Sequence, residues 1–140
     1  MNVKDLWAYR DAVKALKRAR EVLEEYEAVI YSPNGARASG IPLEKSHNSP
    51  DRLAPIVEKH DKLLIEEERA KLRAHEAFSM LEVFGATLPE DELDVFKLRW
   101  LKGLTHREIG AKLHRSEPTL KRMTHKIKDK FRKFEKIDTV

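Results

Sequence analysis

Two helix-start signals separated by a short polar turn constrain this chain more than anything else in it. Thr105 with Glu108 three residues later has the form of a capping box, in which the hydroxyl takes an orphan backbone N–H and the carboxylate reaches back to the N–H of the cap itself. A helix is therefore expected to start at His106. Ile109 and Leu113 lie four apart on one face of it, and Gly110 sits beside them where a second helix could cross closely. Ser116 is the next candidate cap, with Pro118 in the first turn behind it, where a missing N–H costs nothing. The helix that follows carries Leu120, Met123, Ile127, Phe131 and Phe134 at spacings of three and four, one continuous apolar stripe. Ser116, Glu117, Lys121, Arg122 and His125 fall on its other faces, at the helix start, the end that enters a major groove in a helix-turn-helix.

Upstream, Pro89 to Leu101 reads as a third helix with Leu93, Phe96, Leu98, Trp100 and Leu101 as its apolar members and Gly103 as its stop. The pattern L-P-x-x-E-L-x-V-F-x-L-R-W, then T-x-x-E-I-G-x-x-L, then S-x-x-T-L-x-R resembles region four of bacterial sigma factors and the DNA-binding domains of response regulators. It departs from that pattern at His114, where a turn glycine is usual, and at Arg115, where Val or Ile is usual. A side chain is thus expected at a position that favours φ > 0, followed by an arginine with buried stem and solvated head. The resemblance implies binding to double-stranded DNA. Base edges would be read by Ser116, Glu117, Lys121, Arg122 and His125, and phosphates held by Thr105, His106 and Arg107 at the first helix start together with Lys112, Lys126 and Lys130. Lys or Arg suits guanine O6 and N7, and Glu suits cytosine N4. The competing reading of Lys121 and Arg122 is that of exposed helical cations with no partner.

Charge is distributed in the same sense. From Lys97 onward there are fourteen Lys or Arg against five Asp or Glu, a net +9, while the preceding residues carry −5. Positive charge gathered on one module is the footprint of a phosphate-binding surface.

The N-terminal part follows a different pattern. Val3 to Tyr31 reads as one long helix, with Leu6, Tyr9, Val13, Leu16, Ala19, Leu23, Tyr26 and Ile30 on one stripe; a rod of roughly 40 Å with so narrow a stripe needs a partner. Ser32 to Pro50 holds four Ser, three Pro and two Gly without helical period and reads as a flexible connecting loop. Asp51 to Phe84 gives the second long helix, with Leu53, Ile56, Val57, His60, Leu63, Leu64, Ala70, Ala74, Ala77, Phe78, Leu81 and Phe84 as its apolar positions and Gly85 as its C-terminal cap. The expected fold is all-α: a helical hairpin over residues 1–86, packed on a second hairpin in a homodimer or, as the alternative, folded back onto its own C-terminal domain, then a helix-turn-helix domain over 87–140. In layout and loop composition the chain is also similar to small phage-encoded transcription regulators of the ArpU and RinA group, which implies a regulator of phage or prophage origin.

Other chemistries find little support. There is no cysteine, which removes disulfides, thiol catalysis and Cys-containing zinc sites. His75-Glu76 begins like H-E-x-x-H, but the fifth position is Ser79, and no Gly-rich phosphate loop or G-x-S-x-G occurs. His60, on an apolar stripe, is expected to be a packed residue with one satisfied nitrogen. An enzyme, a metal and a cofactor are therefore not expected. No apolar run is long enough for a signal peptide or a membrane span, so the expectation is a cytoplasmic protein. Two alternatives stand beside the regulator: a DNA-recognition protein like the small subunit of a phage terminase, and a module that binds RNA polymerase or another protein.

Overall fold

The computed structural model describes residues 2–31 and 50–138. Apart from Pro50, the loop expected over residues 32–50 lies outside the described residues. The architecture is all-α: two long N-terminal helices are followed by a compact multi-helix domain. A short 3-10 helix, Val3–Trp7, leads into α1 (Ala8–Tyr31); then come α2 (Pro50–Gly85), α3 (Glu90–Phe96), a π-helical turn (Lys97–Leu101), α4 (His106–Leu113) and α5 (Glu117–Asp138). The chain divides into two compact units, one built from residues 1–13 and 73–140, the other from residues 14–72.

The smaller unit is an antiparallel helix pair. Arg20 pairs with Glu67, Glu27 with His60, and the Tyr26 hydroxyl donates to the Ile56 carbonyl, so partners descend α2 as they ascend α1. Leu23, Leu63 and Ala70 are buried between them. His60 is half-buried, with Nε2 3.0 Å from Glu27 Oε1 and its ring stacked against Tyr26, which matches the packed role its position suggested. Leu53, Val57 and Leu64, apolar members of the α2 pattern, are nevertheless exposed. Pro55 sits inside α2 without ending it.

In the larger unit Phe84, fully buried, is the hub: its ring meets those of Phe96, Phe131 and Phe134 edge-on at 5.4, 5.0 and 5.5 Å. Around it pack Leu81, Leu88, Val95, Trp100, Ile109, Leu120, Met123 and Ile127. Leu6 joins this core from the far N-terminus. It arrives there because Asn2 and Asp5 form a capping box that starts a 3-10 turn at Val3, where an α-helix was expected. Trp7 then lies edge-on to Trp100 at 6.2 Å and under the guanidinium of Arg99 at 4.8 Å. Gly85 is not a left-handed cap, since α2 runs through it. Its missing Cβ is used for packing instead: a methyl there would lie 3.2 Å from both Leu93 and Phe96. Gly103 does end the third helical segment, at φ +75°, with Arg10 packed against the space its side chain would fill.

Candidate nucleic-acid interface

Local sequence builds the helix pair as the spacing requires. The Thr105 hydroxyl accepts the Glu108 N–H at 3.2 Å and donates to Glu108 Oε1 at 3.1 Å, while that carboxylate accepts the Thr105 N–H; α4 starts at His106. At its far end His114 takes φ 56°, ψ 44°, the left-handed conformation foreseen at the position where the pattern usually has glycine. The reversal it produces presses the Arg115 carbonyl against Gly110, so closely that a Cβ on Gly110 would sit 2.7 Å from that oxygen. Gly110 is therefore required by the turn itself as well as by α5, whose Leu120 side chain comes next at 3.4 Å. Arg115 is exposed, where a buried stem was expected, and its guanidinium reaches Met123 Sδ at 3.6 Å. Ser116 then accepts the Leu120 N–H on its carbonyl, and α5 begins at Glu117.

Helix α5 buries Leu120, Met123, Ile127 and Phe131 as its stripe predicts, together with Thr124. With that face turned inward, Ser116, Glu117, Lys121, Arg122 and His125 are all exposed along the first two turns, and Lys126 is exposed on the same helix. Two contacts restrain members of the set: Ser116 Oγ lies 2.8 Å from Thr119 Oγ1, and His125 Nε2 lies 3.5 Å from Asp129. Asp129 in turn accepts from Arg132 at 2.9 Å.

The residues assigned to phosphates divide into two groups. Arg107 and Lys112 are exposed on α4. Thr105 is exposed, but its hydroxyl proton is engaged in the cap, and Lys130 is ion-paired with Glu92 of α3, which is nearly buried. His106 is half-buried, with Nε2 3.3 Å from Thr124 Oγ1. Desolvation, and after it the charges of Arg99, Lys121 and Lys128, lower its pKa below the usual histidine value, against a smaller upward pull from Glu117. Arg99 and Lys128 were not among the residues picked out from the sequence. Lys128 could have been, since it stands seven residues after Lys121 and so on nearly the same face of α5. Arg99 could not, because its place at the start of α4, donating to the Leu104 carbonyl at 2.8 Å, depends on how the π-helical turn packs.

Residues 86–133 match the family described as Sigma-70, region 4. This C-terminal segment is a sigma region-4-like helix-turn-helix domain. Its matched span begins after α2 and covers α3, α4 and most of α5, so the family pattern and the exposed start of α5 fall on the same structure. No curated protein and no solved structure matches the chain. Among the described residues no group of three or more His, Cys, Asp or Glu could hold a metal ion, and no helix is long and apolar enough to cross a membrane.

Proposed function

We propose that this chain is a sequence-specific, double-stranded DNA-binding regulator of transcription that reads its site with the first two turns of α5. The observation that carries this reading is the joint exposure of Ser116, Glu117, Lys121, Arg122 and His125 at the start of the second helix of a region-4-like domain. Helices in that position lie in the major groove, with base edges met by side chains near the N-terminus and phosphates met by flanking cations. Arg107, Lys112 and Lys126, all exposed, would take the second role. On this reading the regulator recruits polymerase or recognises DNA beside a promoter, and its resemblance in layout to the phage-encoded ArpU and RinA group supports a phage or prophage origin.

The helix pair of residues 14–72 supplies self-association. Val22, Val29, Leu53, Val57, Leu64, Ile65 and Leu72 are exposed large hydrophobics on this small unit. Because they are 36–57% exposed, each contributes about half of the ~1.5–3 kcal/mol of a full burial if a second copy covers it completely. A homodimer places two reading helices on half-sites one helical turn apart, ~34 Å. Selection of bound sequences from a random duplex library, followed by the mass of the complex, tests both statements. A defined motif in twofold repeats with two chains bound supports them, whereas unselective recovery contradicts the base-reading role.

A second reading, docking to RNA polymerase or another protein, is favoured by an open apolar groove lined by Phe78, Leu93, Phe96 and Leu101 with Glu82 and Lys97 at its rim. Salt separates the two. Phosphate contacts give a log–log slope of ~0.9 per contact, and a protein-docking module shows weak duplex binding with no such slope.

A further inference from the structure

The contact between His106 and Thr124 is not needed to form either helix of the pair, yet it fixes the state of a titratable ring among cations. Thr124 Oγ1 donates its one proton to the Lys121 carbonyl at 3.0 Å. Toward His106 it can then only accept, so Nε2 of the imidazole carries hydrogen and the neutral ring keeps its lone pair on Nδ1. Protonation adds a second donor, at Nδ1, and a positive charge, on a ring whose position Thr124 already holds. The charges of Arg99 on the π-helical turn and of Lys121 and Lys128 on α5 act on the ring, opposed by Glu117 of α5, and Arg99 is held at the start of α4 by its 2.8 Å hydrogen bond to the Leu104 carbonyl. On α4 itself the neighbouring Glu108 carboxylate is occupied by the Thr105 cap, and Arg107 is exposed. Three cations and one anion make this a place where an added proton is unwelcome until an anion arrives.

We propose that His106 meets a DNA backbone phosphate in its protonated form, so that binding of a duplex takes up a proton at this ring. The inference rests on the reading of the domain as a DNA-binding module and adds a regulation to it. A phosphate that accepts the new Nδ1 hydrogen also offsets the field of Arg99, Lys121 and Lys128 that keeps the ring neutral. The sign follows from linkage: the bound complex holds the proton more tightly than the free protein does. Affinity therefore gains as pH falls through the bound value, and the gain is complete below the free value.

The test measures affinity for a random-sequence duplex from about pH 8 to about pH 5.5 at constant ionic strength, for the natural chain, His106→Gln and His125→Gln. Gln at 106 retains an N–H donor for Thr124, and a melting curve for each variant verifies that the domain is folded. The natural chain is expected to gain up to tenfold in affinity per pH unit within the window. The gain is expected to vanish in His106→Gln and to persist in His125→Gln, whatever its absolute affinity. Calorimetry in two buffers of different ionisation heat should report proton uptake only where residue 106 is His. A flat profile for the natural chain, or a slope lost in His125→Gln and kept in His106→Gln, overturns the proposal while leaving DNA binding intact. Absence of duplex binding at every pH overturns the DNA-binding reading itself, and the proposal with it.

Discussion

Replacing Gly110 by Ala sets two physical effects of opposite sign against each other. An alanine in a helix interior is favoured over glycine by ~1 kcal/mol, because the unfolded glycine has more freedom to lose. On propensity alone the variant is stabilised. The added Cβ would, however, stand 2.7 Å from the Arg115 carbonyl oxygen, roughly half an ångström inside the ~3.3 Å of a close carbon–oxygen contact. That neighbour is backbone, and it belongs to the turn that His114 holds in the left-handed conformation, so relief requires moving α5 relative to α4. Overpacking costs ~1–3 kcal/mol, and a backbone neighbour that cannot rotate away puts this case in the upper part of that range, ~2–3 kcal/mol. Sterics should win, with a net loss of about 1–2 kcal/mol. Trp7 and Trp100, the chain's two tryptophans, both lie in the larger unit, so their fluorescence reports its unfolding by urea without interference from the helix pair. With a slope of about 2 kcal/mol per molar urea, the middle of the usual range, the midpoint should fall by roughly 0.5–1 M. An unchanged or raised midpoint would refute the close approach of turn and helix on which the geometry of the interface depends.

Further outcomes follow from the same contacts. Phe84→Ala removes the ring shared by Phe96, Phe131 and Phe134 and should cost ~3–5 kcal/mol, moving the tryptophan transition to much lower urea; a shift under 1 M would show that the hub is not where the core is anchored. Arg122→Ala should weaken a selected duplex by ~1–3 kcal/mol and relax one base position, whereas equal weakening of all sequences would make Arg122 a phosphate contact only. Val57→Glu combined with Leu64→Glu should leave the helicity of the smaller unit intact and convert a dimer to monomers in sedimentation, because both side chains are exposed within one chain; a dimer of unchanged strength would place the association elsewhere.

What could be read in advance was what is local. The cap at Thr105, the left-handed residue at His114 and the stop at Gly103 each depend on a few neighbouring residues, and all are present. The apolar stripes of α1 and α5 were legible for the same reason, since period alone assigns the inward face. Period does not reveal the partner. Leu6 belongs to the stripe read from Val3 to Tyr31, yet it lies in the 3-10 helix before α1 and packs in the core of the helix-turn-helix unit, while Leu53, Val57 and Leu64 belong to the pattern of α2 and remain exposed. Within the interface, the exposure of Ser116, Glu117, Lys121, Arg122 and His125 followed from the stripe opposite them. The pairing of Lys130 with Glu92 did not, because the two charges stand 38 residues apart and meet only when α3 and α5 pack. The environment of His106 was hidden for the same reason: Arg99 reaches it from another element.

The proposed function requires the start of α5 to lie in the major groove of a duplex. Dimethyl sulfate tests it directly, since it methylates guanine at N7 in the major groove and adenine at N3 in the minor groove. With a selected duplex, guanine N7 should be protected at the recognised bases, and one such position should be recovered with Arg122→Ala. Protection confined to adenine N3, or none at saturating protein, would contradict it.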